Sequence, residues 1–189
     1  MTRGRALVVL SCVLLAGCGG ASDAGDEPIT PGAIAAVTQD VLGRPARDVA
    51  RWDVFTRELG QESPGATMRF GRLSVEVAVA PTTDSPLVCA DPSFFDECVQ
   101  QEYDGHEVTL AWQELEPEED PGVVYVIDRR DGEDVVVGLG GPTITGDPRD
   151  LDLGIDLADL AAVATDPRLG LTTTPEVVDQ GAELDLGVA

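Results

Sequence analysis

The chain of 189 residues contains no lysine and no asparagine, and its basic groups are 12 arginines against 35 aspartates and glutamates, a formal net charge of −23. Such a surface is repelled by nucleic acid and by anionic lipid headgroups, so neither is expected as a direct partner. Without asparagine there is no N-glycosylation sequon. Lysine and asparagine share A-rich codons, so their joint absence points to a GC-rich genome. An actinobacterium fits, and the acidic, lysine-poor habit of haloarchaea leaves a second source open. Aromatics make up only 4% of the residues, so a core must rest on Val, Leu, Ile and Ala. At 43% hydrophobic the chain can still build one, and its length suits one domain better than two.

Chemistry-bearing motifs are equally scarce. His106 is the only histidine, and there is no G-x-S-x-G and no H-E-x-x-H, so neither a serine-hydrolase elbow nor a zinc-peptidase helix is supported. Gly138-Leu139-Gly140-Gly141-Pro142 follows a strand-like run but opens no helix, and reads as a loop. Asp147, Asp150, Asp152 and Asp156 do not fit a calcium loop: counted from Asp150 the sixth and twelfth residues are Ile155 and Ala161, and counted from Asp147 they are Asp152 and Ala158. The densest acidic run is Glu114, Glu116, Glu118, Glu119 and Asp120, interrupted by Pro117 and closed by Pro121. It reads as a solvated loop between strands, or as a site for cations or a basic partner. No catalytic residue, metal ligand set or cofactor is assigned, and no small-molecule ligand is identifiable.

What is present begins at the N-terminus. Met1–Arg5 is short and basic, Ala6–Leu15 is apolar except for Ser11, and Leu15-Ala16-Gly17-Cys18 follows. This is the layout of a secretory signal over residues 1–17. As a helix the ten apolar positions would extend about 15 Å, too short for the roughly 30 Å hydrocarbon core of a bilayer. Leu15-Ala16-Gly17-Cys18 resembles the lipobox of bacterial lipoproteins. The resemblance covers only the N-terminus. It implies cleavage before Cys18 and a diacylglyceryl group on the Cys18 thiol, hence a chain lipid-anchored to the cell membrane on its extracytoplasmic face. Cleavage removes Arg3 and Arg5 and no acid, leaving 10 basic and 35 acidic groups, net −25.

With Cys12 discarded and Cys18 acylated, Cys89 and Cys98 remain in an oxidising compartment, and a disulfide between them is expected. Their short loop should stabilise the fold by roughly 2.5–3 kcal/mol in the chain-entropy picture. Their spacing is not that of a C-x-x-C redox pair or a zinc site.

Residues 18–29 read as a flexible tether, and 30–175 as a single domain. Thr30 and Pro31 start a short helix, with Ile34, Val37 and Val41 on one stripe and Gly43 and Pro45 ending it. Residues 46–52 are ambiguous. From Met68 to Val79 the period changes to two, as in a half-buried strand. Val108, Leu110 and Trp112 alternate likewise, and Val123–Ile127 and Val135–Leu139 are apolar on both faces. Asp104-Gly105 and Asp131-Gly132 supply hairpin turns. A second helix is predicted over 157–165, with Asp156 as cap and Asp159 in its first turn. Residues 176–189 read as a loosely ordered tail.

The expected fold is α+β: an antiparallel meander of about five to six strands packed with a short N-terminal and a C-terminal helix. This order is similar to small lipoproteins of actinobacteria that mostly have no assigned activity. Three readings of function follow: a non-enzymatic module binding an envelope protein partner, an acidic divalent-cation-binding module, or a small carboxylate-based hydrolase.

Overall fold

A computed structural model describes residues 25–52, 63–82, 95–116 and 121–187. The segment expected to be a signal peptide, Cys18 and Cys89 lie outside the described residues, as do 117–120 of the acidic run. The chain is an α+β fold, and its described residues form one seven-stranded antiparallel sheet, one two-stranded ribbon and three α-helices.

Helix α1 spans Pro31–Val41. The Thr30 hydroxyl accepts the Ala33 amide at 3.1 Å, and Pro31 occupies a first-turn position where no amide is needed. Gly43 adopts a φ of +62°. That turn lets the Gly43 and Arg44 amides reach back to the carbonyls of Asp40 and Gln39, a Schellman closure. The Gln39 side chain then accepts the Ala46 amide at 2.7 Å and directs the chain into the sheet.

The ribbon pairs β1 (Glu27–Pro28) with β9 (Thr172–Thr173). The main sheet holds β2 (Asp48–Arg51), β3 (Gly65–Phe70), β4 (Leu73–Pro81), β5 (Glu97–Tyr103), β6 (His106–Gln113), β7 (Val123–Arg129) and β8 (Glu133–Gly140), in the order β2-β3-β4-β8-β7-β6-β5. It has seven strands where five to six were expected, and it joins two meanders, β2–β4 and β5–β8, through β4 against β8. Two strands escape the hydrophobic pattern because they are sheet edges. β2 is four residues long and has no buried position. β5 is Glu-Cys-Val-Gln-Gln-Glu-Tyr, with no fully buried residue. The alternation from Met68 to Val79 is also two strands: Gly71-Arg72 folds it into a hairpin with Phe70 opposite Leu73.

Both Asp-Gly hairpins form where expected. Asp104 and Gly105 take φ of +49° and +84°, the paired positive values of a type I′ turn, and place Tyr103 opposite His106. Asp131-Gly132 joins β7 and β8.

Alternate residues of the strands build two faces. Met68, Val75, Val77, Leu110, Val126, Val137 and Leu139 face the helices and form the main core with Ile34, Val37, Leu160 and Leu169. The opposite face carries small residues, with Ala78, Ala80, Ala111 and Val136 grouped beside Trp52, Phe95 and Tyr125.

Helix α2, Leu157–Ala164, buries Leu160, Ala161, Val163 and Ala164. Asp156 takes the cap position, but its side chain makes no capping bond. The opposite end is held by the β7–β8 turn. Arg130 donates to the carbonyls of Ala164 at 2.7 Å and Asp166 at 3.0 Å, and also to that of Leu169. A guanidinium here satisfies the Ala164 carbonyl, which the helix leaves open, and faces the negative end of its dipole. Asp128 orients Arg130 at 2.7 Å, and Glu133 accepts the Leu171 amide at 2.6 Å.

The expectation of a loose tail over 176–189 is corrected through residue 187. Helix α3 spans Pro175–Ala182 and lies directly on α1. A Cβ added to Gly181 would stand 2.2 Å from the Ala33 nitrogen, and one on Gly32 would stand 2.4 Å from the Gly181 oxygen. The two backbones touch, which only glycine at both positions permits. Beyond α3 the Gly187 amide donates to the Val49 carbonyl at 2.8 Å. The tail looked loose because α3 has few apolar residues: it buries Val177, and the rest of its attachment is a backbone contact that hydropathy does not register.

Candidate functional site

Of the three cysteines assigned a role, only Cys98 lies among the described residues. It sits half-buried on β5, opposite Ala111 of β6, on the small-residue face. Glu76 shares that face. Burial pushes its carboxyl above the usual range, and the Arg69 guanidinium offsets this only in part.

Of the acidic residues at 147–156, Asp147 and Asp152 have local structural roles. Asp147 is ion-paired to Arg149 and accepts the Arg149 amide at 3.0 Å, and these bonds hold its carboxyl below the ordinary value. Asp152 accepts the Gly154 amide at 3.1 Å, closing a turn. Among the described residues no three His, Cys, Asp or Glu side chains gather as a metal ligand set. Of the 114–120 run, Glu114 donates its amide to Asp96 at 2.7 Å, and the Leu115 amide bonds the Ile144 carbonyl, so the start of the run is held as structure.

His106 stands exposed at the start of β6, as a polar residue after a tight turn should. It lines a depression of about 280 Å³ between the β5–β6 turn and α2, together with Tyr103, Ala158 and Thr165. That depression shares Tyr103 with a groove of about 370 Å³, where Gln101 and Tyr103 of β5 face Leu151, Leu153 and Ile155. A third depression, about 320 Å³, shares Asp152, Ile155 and Asp156 with the groove and reaches Leu42 and Arg44. The three form a shallow, open track beside β5. Its floor is aliphatic and its rim acidic.

Arg149 is the cation of the groove, and its charge is committed to Asp147. Burial raises the Tyr103 phenol above its ordinary value; Arg149 lowers it and Asp147 raises it further. Such a track can hold an extended chain by shape and charge. Among the described residues the His106 side chain has no hydrogen-bonding partner that would orient it as a base. The signal for this site in the sequence was the polar run Gln100-Gln101-Glu102 before Asp104-Gly105: a strand with little to bury, adjoining a hairpin turn.

Compared with known proteins, the chain matches no family model, no curated protein and no solved structure. Among the described residues no helix is long and apolar enough to cross a membrane.

Proposed function

We propose that the chain is a lipid-anchored extracytoplasmic protein whose folded part is a non-enzymatic module binding an envelope protein. The observation that carries the anchor is Leu15-Ala16-Gly17-Cys18 at the end of a ten-residue, largely apolar run. Two acyl chains on one cysteine hold a protein stably at a bilayer. The seven residue steps from Cys18 to Gly25 reach at most about 25 Å when fully extended. The folded part therefore works close to the membrane surface. Pairing of Glu27–Pro28 with Thr172–Thr173 gives the tether a firm point of attachment.

The binding role is supported by the open track beside β5 with its aliphatic floor and acidic rim. The same reading pairs Cys89 with Cys98 as a structural disulfide, and Cys98 is not a free thiol.

Mass spectrometry of the mature N-terminus tests the anchor. A diacylglyceryl-modified residue 18 is the expected result, and an unmodified start elsewhere removes the proposal. Affinity capture from the native envelope tests the binding role. The tethered chain should enrich a partner over a released Cys18→Ala control, and no enrichment would overturn the module.

A further inference from the structure

β5 is the last strand of the sheet, and among the described residues nothing pairs with its outer edge. In a two-residue hairpin the closing pair is hydrogen-bonded, so Tyr103 turns its backbone groups toward β6, as do Gln101 and Val99 at every second position. Gln100 and Glu102 therefore turn their amides and carbonyls outward. The Glu102 carbonyl accepts only the exposed Gln101 side-chain amide, at 3.3 Å. An edge of this kind is a template for another strand.

The charges beside it select what that strand can be. Glu102 on β5 stands directly opposite Glu107 on β6, both exposed, and neither has an ion-pair partner among the described residues. Like charges facing each other across strands destabilise the pair, and the chain as a whole is strongly acidic. A second copy would bring more carboxylates to this place. A basic strand would relieve the repulsion. On the other face of the same edge, Gln101 and Tyr103 border the aliphatic groove of Leu151, Leu153 and Ile155.

We infer that the outer edge of β5 accepts an extended segment of a basic partner protein, added as an antiparallel or parallel eighth strand. Its arginines or lysines lie against Glu102 and Glu107, and its alternating apolar side chains lie over the groove. This deepens the binding role proposed above and rests on it. Main-chain bonds to Gln100 and Glu102 supply affinity, and the two faces supply the sequence preference.

The test uses the full chain and three labelled peptides: alternating Arg and Val, alternating Glu and Val, and an Arg–Val copy N-methylated at every second amide. The Arg–Val peptide should bind and slow hydrogen exchange at the Gln100 and Glu102 amides. N-methylation removes the ladder bonds and should weaken binding by about tenfold or more. The exposed double variant Glu102→Arg/Glu107→Arg should transfer preference to the Glu–Val peptide. Unchanged exchange at Gln100 and Glu102, or equal binding of the N-methylated copy, would overturn strand addition. If the double variant still captures the same envelope protein as the parent chain, the edge is not the site and the binding role survives. If neither form captures anything, the binding role itself falls.

Discussion

Glu76 and Arg130 show how much single charges decide in a chain with so few cations. Glu76 lies partly buried on the small-residue face with its carboxyl raised by burial. A carboxyl raised in the folded state binds more protons there than in the unfolded chain. Stability therefore falls as pH rises through the folded value and is higher below it. Glu76→Gln should stabilise the protein at neutral pH and flatten this part of the pH profile, checked by urea unfolding at several pH values. Arg130 does the opposite work, since three backbone carbonyls, Asp128 and Glu133 converge on it. Arg130→Ala leaves carbonyls and carboxylates unpaired at once and should cost about 3 kcal/mol in the same measurement. Arg130→Lys should recover only part of this, because an ammonium lacks the planar fork that reaches several carbonyls.

Elements were legible where local chemistry is self-sufficient. Thr30, Pro31 and Gly43 delimit α1 without help from the rest of the chain, and Asp104-Gly105 makes its hairpin by backbone preference alone. β2, β5 and α3 were not legible. Edge strands bury little and so lack the alternation that marks a strand, and α3 is held by a glycine contact and one buried valine, Val177, rather than an apolar stripe. That contact is testable. Gly181→Ala adds a methyl where the α1 backbone already stands, and should destabilise by about 1–3 kcal/mol. The helix would have to move, so loss of α1–α3 packing should also appear as faster hydrogen exchange in α1. Gly43→Ala makes a useful comparison. Its added Cβ meets nothing within 4 Å, so its cost should be confined to the strained φ, about 1 kcal/mol.

The whole molecule carries its charge as self-repulsion. With 35 acidic and 12 basic groups the folded state gains when salt screens them. Raising NaCl from about 0.01 M to about 1 M shortens the screening length from about 30 Å to about 3 Å. The melting temperature should rise by about 3 °C or more, read by thermal unfolding. Calcium chloride at matched ionic strength should add nothing further, because Asp147 is taken up by Arg149 and Asp152 by the Gly154 amide, and among the described residues no three carboxylates gather around one point. An extra rise with calcium alone would favour the cation-binding reading. The candidate site belongs to this scale too. Gln101 and Tyr103 meet Leu151, Leu153 and Ile155 across some fifty residues of sequence, and no local pattern announces that meeting.

The linear order of residues was enough for the α+β class, the first two helices and both Asp-Gly turns. These depend on side-chain type and on spacings of a few residues, which survive without any partner. Folding in three dimensions was needed to place β4 against β8, to seat α3 on α1, and to leave β5 with an edge that is unpaired among the described residues, beside an aliphatic groove. Such outcomes depend on which distant surfaces meet and which are left over. That is set by burying the whole apolar surface at once, and by no single segment.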